Sequence, residues 1–253
     1  MHSSLTQFVE NNSHVINKAC QILNSKAQTK QSILPKLLDS WRIISTNQNS
    51  KNEECGHLFN PFTQIPISET IHSRVLGDLL NPKGTHGQNS KLLTAFLELI
   101  GVPGPFTGEW MVSVEAARVD ICMWRKSPAS VIIIENKSNS ANDQPNQLYR
   151  YWYESIYQRY PMLDYSNKLV RNSFQIIYMP PTGEKMPSYQ SLQRPTYLEP
   201  LGLPESLNEI GVMVKLCTFQ EHIVKWLNRC EKHVPTANHR LSHFLQFYKE
   251  IWT

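Results

Sequence analysis

The stretch Val131-Ile-Ile-Ile-Glu-Asn-Lys137 decides how the rest of this chain is read. Residues 131–134 are the longest run of purely aliphatic residues in the sequence, and all four are β-branched. A strand covered on both faces has no polar side to alternate with, so it reads as one continuous apolar run. The run ends abruptly in Glu135 and Lys137. Charged groups at the end of a buried strand carry a desolvation cost, so they ask for a chemical reason. Side chains alternate across a strand, which puts Glu135 and Lys137, two residues apart, on one face.

Upstream, residues 110–115 alternate like a strand and 118–124 form a second short β-like run carrying Asp120. Downstream, 142–160 has helical spacing, with Leu148, Trp152, Ser155 and Ile156 along one side. Residues 174–179 form another apolar strand, ended by Pro180-Pro181. The stretch 180–204 holds six prolines and reads as a long loop. Residues 212–218 are a candidate strand, and 219–230 and 239–252 read as helices.

Before the strands, Ser68 precedes and caps a helix that runs to about Leu80 and whose stripe is Ile71, Val75, Leu79 and Leu80, stopped by Asn81-Pro82. A second helix spans 88–100 and ends at Gly101. Residues 1–46 have helix-like apolar intervals (Phe8, Val15, Ile16, Ala19, Ile22, Leu23, then Leu34, Leu37, Leu38, Trp41 and Ile44), and the polar stretch 46–54 reads as a loop. The order is therefore helices, then β-β-β-α-β, then a mixed C-terminal tail, which makes an α/β or α+β domain with one sheet and helices packed on it. Residues 1–60 form a helical extension and 61–253 the main domain, its core at about 65–180.

Composition sets the limits. With 40% hydrophobic and 18% charged residues the chain can bury a sizeable core, which excludes a disordered or coiled-coil protein. The net charge of +4 permits a polyanionic partner without demanding one. Five widely spaced cysteines with no CxxC pair read as reduced thiols, and the N-terminus lacks a signal-peptide pattern, so a cytoplasmic protein is expected. No apolar run approaches the roughly 20 residues of a membrane helix.

If the strand of Asp120 is the antiparallel neighbour of 131–137, Asp120 can face Glu135 and Lys137. Two close carboxylates repel and raise each other's pKa unless a cation lies between them. Hard oxygen ligands of this kind suit Mg²⁺ or Mn²⁺. A bound divalent ion polarises a phosphoryl oxygen and acidifies a water, and a neighbouring lysine orients that water. The parts suit phosphodiester hydrolysis. Glu115 precedes Asp120 by five residues, which requires a tight turn there.

These residues, with Arg118-Val-Asp120-Ile before them, resemble the core of the PD-(D/E)XK nuclease superfamily. Glu69-Thr-Ile-His72-Ser73, followed by Leu79-Leu80-Asn81-Pro82 and His86-Gly87, is similar to the first core helix and loop of a bacterial group within it. Gln147-Leu-Tyr-Arg-Tyr151 resembles the QxxxY helix of its exonuclease-like branch. The resemblance implies an α/β, restriction-endonuclease-like core, a central mixed four-stranded sheet flanked by helices (αβββαβ) with N-terminal helices and a mixed C-terminal tail, and it implies Asp120, Glu135 and the main-chain carbonyl of Asn136 as metal ligands. It implies Lys137 as the residue that positions the attacking water and Glu69 as the group that completes the metal shell, a place that Glu115 could also fill. Gln147, Tyr151, His72 and Ser73 would approach the substrate. The implied activity is metal-dependent cleavage of nucleic acid, most naturally DNA, and a homodimer would suit double-strand cutting. The alternative is a catalytically silent nuclease-like module that binds nucleic acid or a protein partner.

Arg150 and Arg159 sit in the aromatic-rich helix with Tyr149, Tyr151, Trp152, Tyr153, Tyr157 and Tyr160, a mixture able to hold phosphates and stack on bases, so Arg150 joins the substrate-binding candidates. The series Cys230, His233, His239, His243 fits no standard zinc spacing.

Overall fold

The structure, a computed structural model, describes residues 30–55, 59–116 and 118–253. The chain divides into two compact units, 1–59 and 60–253. In the first, helix α1 spans Lys30–Cys55. It runs straight through 46–54, where the sequence alone predicts a loop. That stretch is polar but contains neither Gly nor Pro, so its polarity marks a solvated helix and not a break. Leu37, Leu38, Ile43 and Ile44 are exposed on α1. The apolar positions assigned at Phe8 to Leu23 lie outside the described residues.

The second unit begins with α2 (Pro61–Gln64), α3 (Glu69–Leu80) and α4 (Lys91–Leu99). Strands β1 (Met111–Ala116), β2 (Val119–Arg125) and β3 (Ser130–Asn136) follow, then α5 (Gln147–Trp152), which continues as a π-helical turn over Tyr153–Tyr157. After α6 (Lys168–Ser173) come β4 (Phe174–Met179), α7 (Leu207–Ile210), β5 (Met213–Leu216), α8 (Val224–His233) and α9 (His239–Glu250). The helix expected over 142–160 is thus shorter: Pro145 lies in its first stretch, and 138–146 is an irregular loop.

Over the described residues the sheet has five strands in the order β1-β2-β3-β4-β5. This corrects the expected four. The segment 212–218, expected in the tail, supplies β5, which pairs parallel with β4. Its physical reason is β4 itself, which is buried along its whole length and needs a partner on each edge for its backbone groups. Strands β1, β2 and β3 are antiparallel, whereas β3 and β4 are parallel. The carboxyl ends of β3 and β4 therefore share one edge, the place where open α/β sheets hold ligands.

Helices cover both faces. On one, Leu76, Leu80, Leu92 and Phe96 from α3 and α4 and Trp226 and Leu245 from α8 and α9 pack on Ile121, Ile132, Ile134 and Ile177. On the other, Leu148 and Trp152 of α5 pack on Val131, Ile133 and Ile176. Each such fully buried side chain contributes on the order of 1.5–3 kcal/mol. Helix α3 comes close to β1 at Gly77, where a Cβ would lie 2.1 Å from Val114 Cγ2.

Candidate active site

The alternation that sends Ile132 and Ile134 to one layer and Val131 and Ile133 to the other continues past the apolar run. Glu135 and Lys137 emerge on the α5 side, and Asn136 on the α3 side. Lys137 Nζ lies 2.7 Å from Glu135 Oε1, and both side chains are almost fully buried. The β2–β3 register pairs Ile121 with Ile134, so the next residues outward, Asp120 and Glu135, sit opposite each other. The Asn136 backbone N–H donates to Asp120 Oδ2 at 2.7 Å.

Helix α5 closes the pocket. Gln147 Nε2 donates to Glu135 Oε1 and to Tyr151 Oη, each at 2.9 Å. The Tyr151 hydroxyl donates to the Arg118 carbonyl at 2.7 Å. Gln147 and Tyr151 stand one helical turn apart, which is what lets both reach the same strand end. On the other side of β3, Asn136 Nδ2 donates to the Glu69 carbonyl at 2.8 Å and to Ser73 Oγ at 3.0 Å. These bonds lash β3 to the first turn of α3.

Burial, and then the neighbouring Glu135 charge, push Asp120 up to about 8, against the Asn136 N–H. Burial likewise raises Glu135, against the pull of Lys137. Burial works against the Lys137 charge, but Glu135 and, at 3.6 Å, Asp143 outweigh it and hold the ammonium above its ordinary value. Glu135 Oε2 is buried and has no hydrogen-bond partner among the described residues. An orphaned carboxylate oxygen beside a second acid that resists ionising fits a divalent cation with oxygen ligands.

Other expected residues take different places. The Glu69 carboxylate accepts from the backbone N–H groups of Asn139 and Ala141 at 3.0 and 3.3 Å, anchoring the loop after β3. Glu115 is exposed at the end of β1 with φ +53°, and Arg118 follows at φ +65°, which makes the tight turn the spacing required. Among the described residues no three His, Cys, Asp or Glu side chains converge as a metal cage requires. His72 is spent on the core. It is 3% exposed, its Nδ1 lies 2.9 Å from Tyr248 Oη, and Phe219 and Trp252 pack beside it. Arg150 Nη2 donates to Gln144 Oε1 at 3.2 Å, outside the cluster around Glu135.

Sequence reasoning missed Asp143. It accepts from Tyr178 Oη at 2.8 Å and from the Ser188 N–H at 2.6 Å while facing Lys137. It also missed Lys185, which donates to the carbonyls of Ser140 (2.7 Å) and Ala141. No spacing flags either residue, because both act across loops that only the fold brings together.

No helix of the described residues is long and apolar enough to cross a membrane. No curated protein and no solved structure matches the chain. A family model for the PD-(D/E)XK nuclease superfamily matches residues 59–250. This span takes in the whole five-stranded sheet, its flanking helices and the buried Glu135-Asn136-Lys137 end, and the chain therefore belongs to the PD-(D/E)XK nuclease superfamily, whose members are metal-dependent nucleases.

Proposed function

We propose that this chain is a Mg²⁺- or Mn²⁺-dependent deoxyribonuclease whose reaction centre is Asp120, Glu135 and Lys137. The observation that carries the reading is the pair of facing acids Asp120 and Glu135, one with a buried bare oxygen, beside a buried lysine. Asp120, Glu135 and the Asn136 carbonyl are the ligands. A divalent cation bound there would supply Lewis-acid polarisation of the scissile phosphate and a water of lowered pKa. Lys137 orients that water and offsets the negative charge that builds on phosphorus. Gln147 holds Glu135 Oε1 from the helix side, which leaves Oε2 free to hold a cation. Tyr151 fixes Gln147. The nuclease-like domain of this proposal is 61–253, with 1–60 as a helical extension.

The test is incubation of the purified protein with supercoiled plasmid, linear single-stranded DNA and matched RNA, in Mg²⁺, Mn²⁺ or EDTA, beside Lys137→Ala. Cleavage of DNA that needs metal and disappears in the variant is the expected result. Cleavage of RNA alone would change the substrate. No cleavage by a folded protein would make the chain a silent nuclease-like binding module.

A further inference from the structure

The loop that follows β4 on the way to α7, residues 180–204, leaves the sheet at the same edge as the end of β3. It is pinned to the start of α5: the Asn146 N–H donates to the Gln190 carbonyl at 2.8 Å, and Asn146 Nδ2 to the Gln193 carbonyl at 2.7 Å. Between loop and helix lies a concavity of about 560 Å³ lined by Gln144, Arg150, Arg194 and Tyr197 among others. A smaller one, about 200 Å³, adjoins it and is lined by Arg118, Arg150, Tyr151 and Glu154. Arg150 belongs to both. The larger volume falls within the roughly 300–1,000 Å³ of ordinary small-ligand sites.

The charged residues that line the larger concavity are Arg150 and Arg194, both cationic, whereas Glu154 joins Arg118 and Arg150 in the smaller. Among the described residues no carboxylate lies within ion-pair distance of Arg118, Arg150 or Arg194. Arg150 Nε is buried without a hydrogen-bond partner. Arg194 donates from Nη1 to the Leu203 carbonyl, which fixes one end of its guanidinium and leaves other donors for a ligand. Tyr197 is 61% exposed at the rim. Unpaired guanidinium groups prefer phosphate oxygens, which their planar fork fits. An exposed tyrosine ring offers a stacking surface that only an unpaired base can use. Both concavities touch the reaction centre through α5: Tyr151 lines the smaller, and the Gln144 N–H, on the wall of the larger, donates to Gln147 Oε1 at 3.2 Å.

We propose that the concavity between Arg150 and Arg194 is a subsite for a single-stranded flank of the nucleic-acid substrate, with a backbone phosphate held by the two guanidinium groups and a base stacked on Tyr197. The inference rests on the nuclease reading for the identity of the strand, but binding tests it without cleavage. In EDTA, the anisotropy of a labelled single strand of roughly 12 nucleotides is measured against wild type, Arg150→Ala, Arg194→Gln, the double variant and Tyr197→Ala. Arg240→Ala, an exposed cation on α9, is the control. Thermal melts check that each variant folds; Tyr197→Ala, at an exposed position, keeps the test open if an arginine variant does not.

The double variant is expected to bind about tenfold more weakly or worse. Its plot of log affinity against log salt is expected to flatten by about 0.7, the contribution of the one single-strand phosphate that the two arginines no longer neutralise. Tyr197→Ala is expected to lose about fivefold or more, the effect of one stacked base. Arg240→Ala is expected to lose little. Equal losses in Arg240→Ala, an unchanged salt slope, or equal displacement of the strand by polyglutamate would overturn the subsite. Loss of binding in these variants alongside a wild type that cleaves nothing would sink the catalytic reading and leave the subsite standing. Cleavage and binding both indifferent to Arg150, Arg194 and Tyr197 would do the reverse.

Discussion

The backbone N–H of Asn136 donates to Asp120 Oδ2 at 2.7 Å, so the acid of β2 is tied to the strand that carries Glu135. The bond fixes the two carboxyl groups relative to each other. It also keeps Asp120 in a site where burial and Glu135 make its charged form unfavourable. The arrangement is costly without a cation, and the cost can be measured.

Asp120 titrates at about 8 in the fold against an ordinary 3.8. Between those values the folded chain holds a proton that the unfolded chain has released. Stability therefore falls as pH rises through this window and is greatest below it. Asp120→Asn keeps the shape and removes the titration. In EDTA its thermal midpoint is expected to lie above that of wild type at about pH 8 and near it at about pH 4. The same variant should lose Mn²⁺ binding by calorimetry. A wild type and an Asp120→Asn protein with parallel pH profiles would refute the assignment.

Asp143 links three segments: Lys137 at the end of β3, Tyr178 on β4 and Ser188 in the loop beyond. In Asp143→Asn one carboxylate oxygen becomes an amide nitrogen, which must face as donor to donor either the Ser188 N–H or, on the Tyr178 side, the Lys137 ammonium. Leaving one such buried group unmatched costs about 1–3 kcal/mol. The variant is expected to melt lower by that amount. Cleavage should fall through kcat more than KM, because Lys137 loses its second counter-ion. Asp143→Glu should recover part of kcat if the charge is what matters. A stability loss with kcat intact would limit Asp143 to holding the loops.

The legible parts of the fold are those whose signal is local. The 131–134 run announces a central strand because burial on both faces leaves only apolar letters. The shared face of Glu135 and Lys137 follows from strand period, whereas Gln147 and Tyr151 are marked by the resemblance of their segment to the QxxxY helix. The rest depends on partners distant in sequence. β5 is half-buried and short, and nothing in Met213–Leu216 says that it pairs with β4. Asp143 gains its surroundings from residues 35 and 45 positions later. His72 looks like a neighbour of Glu69 because one turn separates them, yet its partner Tyr248 arrives from 176 residues away. Pattern reports which face a residue occupies, and the tertiary fold decides what covers that face.

His72 supplies a second titration of opposite sign. Burial lowers it to about 4 from 6.5. Between these values the unfolded chain takes a proton that the folded chain refuses, so stability falls as pH drops through the window. Over that range the Asp120 slope runs the other way, and the two offset. His72→Phe combined with Tyr248→Phe removes the titration without leaving the tyrosine hydroxyl unmatched, a replacement that is close to neutral. The double variant is expected to gain stability relative to wild type on going from about pH 6.5 to about pH 4.5. Melts at those two values decide it; a shift equal to that of wild type would mean that His72 is not kept neutral by its aromatic surroundings.

Gly77 tests how closely α3 must approach the sheet. A Cβ there would lie 2.1 Å from Val114 Cγ2, well inside contact distance, while φ at this helical position is ordinary. Alanine is the better helix former by about 1 kcal/mol in an open helix, so propensity alone predicts a gain. Overpacking of a tight contact costs typically 1–3 kcal/mol, and here it must displace either Val114 or the helix. Gly77→Ala is therefore expected to destabilise by up to about 2 kcal/mol, the overpacking cost less the propensity gain. Val114→Ala made together with it should recover much of the loss, since the clashing methyl is then gone. The same helix carries Glu69 and Ser73, whose carbonyl and hydroxyl hold Asn136. A shift of α3 away from β1 would loosen that hold, so Gly77→Ala should also weaken Mn²⁺ binding, and the paired Val114→Ala should restore it. If alanine at 77 raises the melting midpoint with Val114 intact, α3 has room to spare and its distance from the sheet does not govern the site.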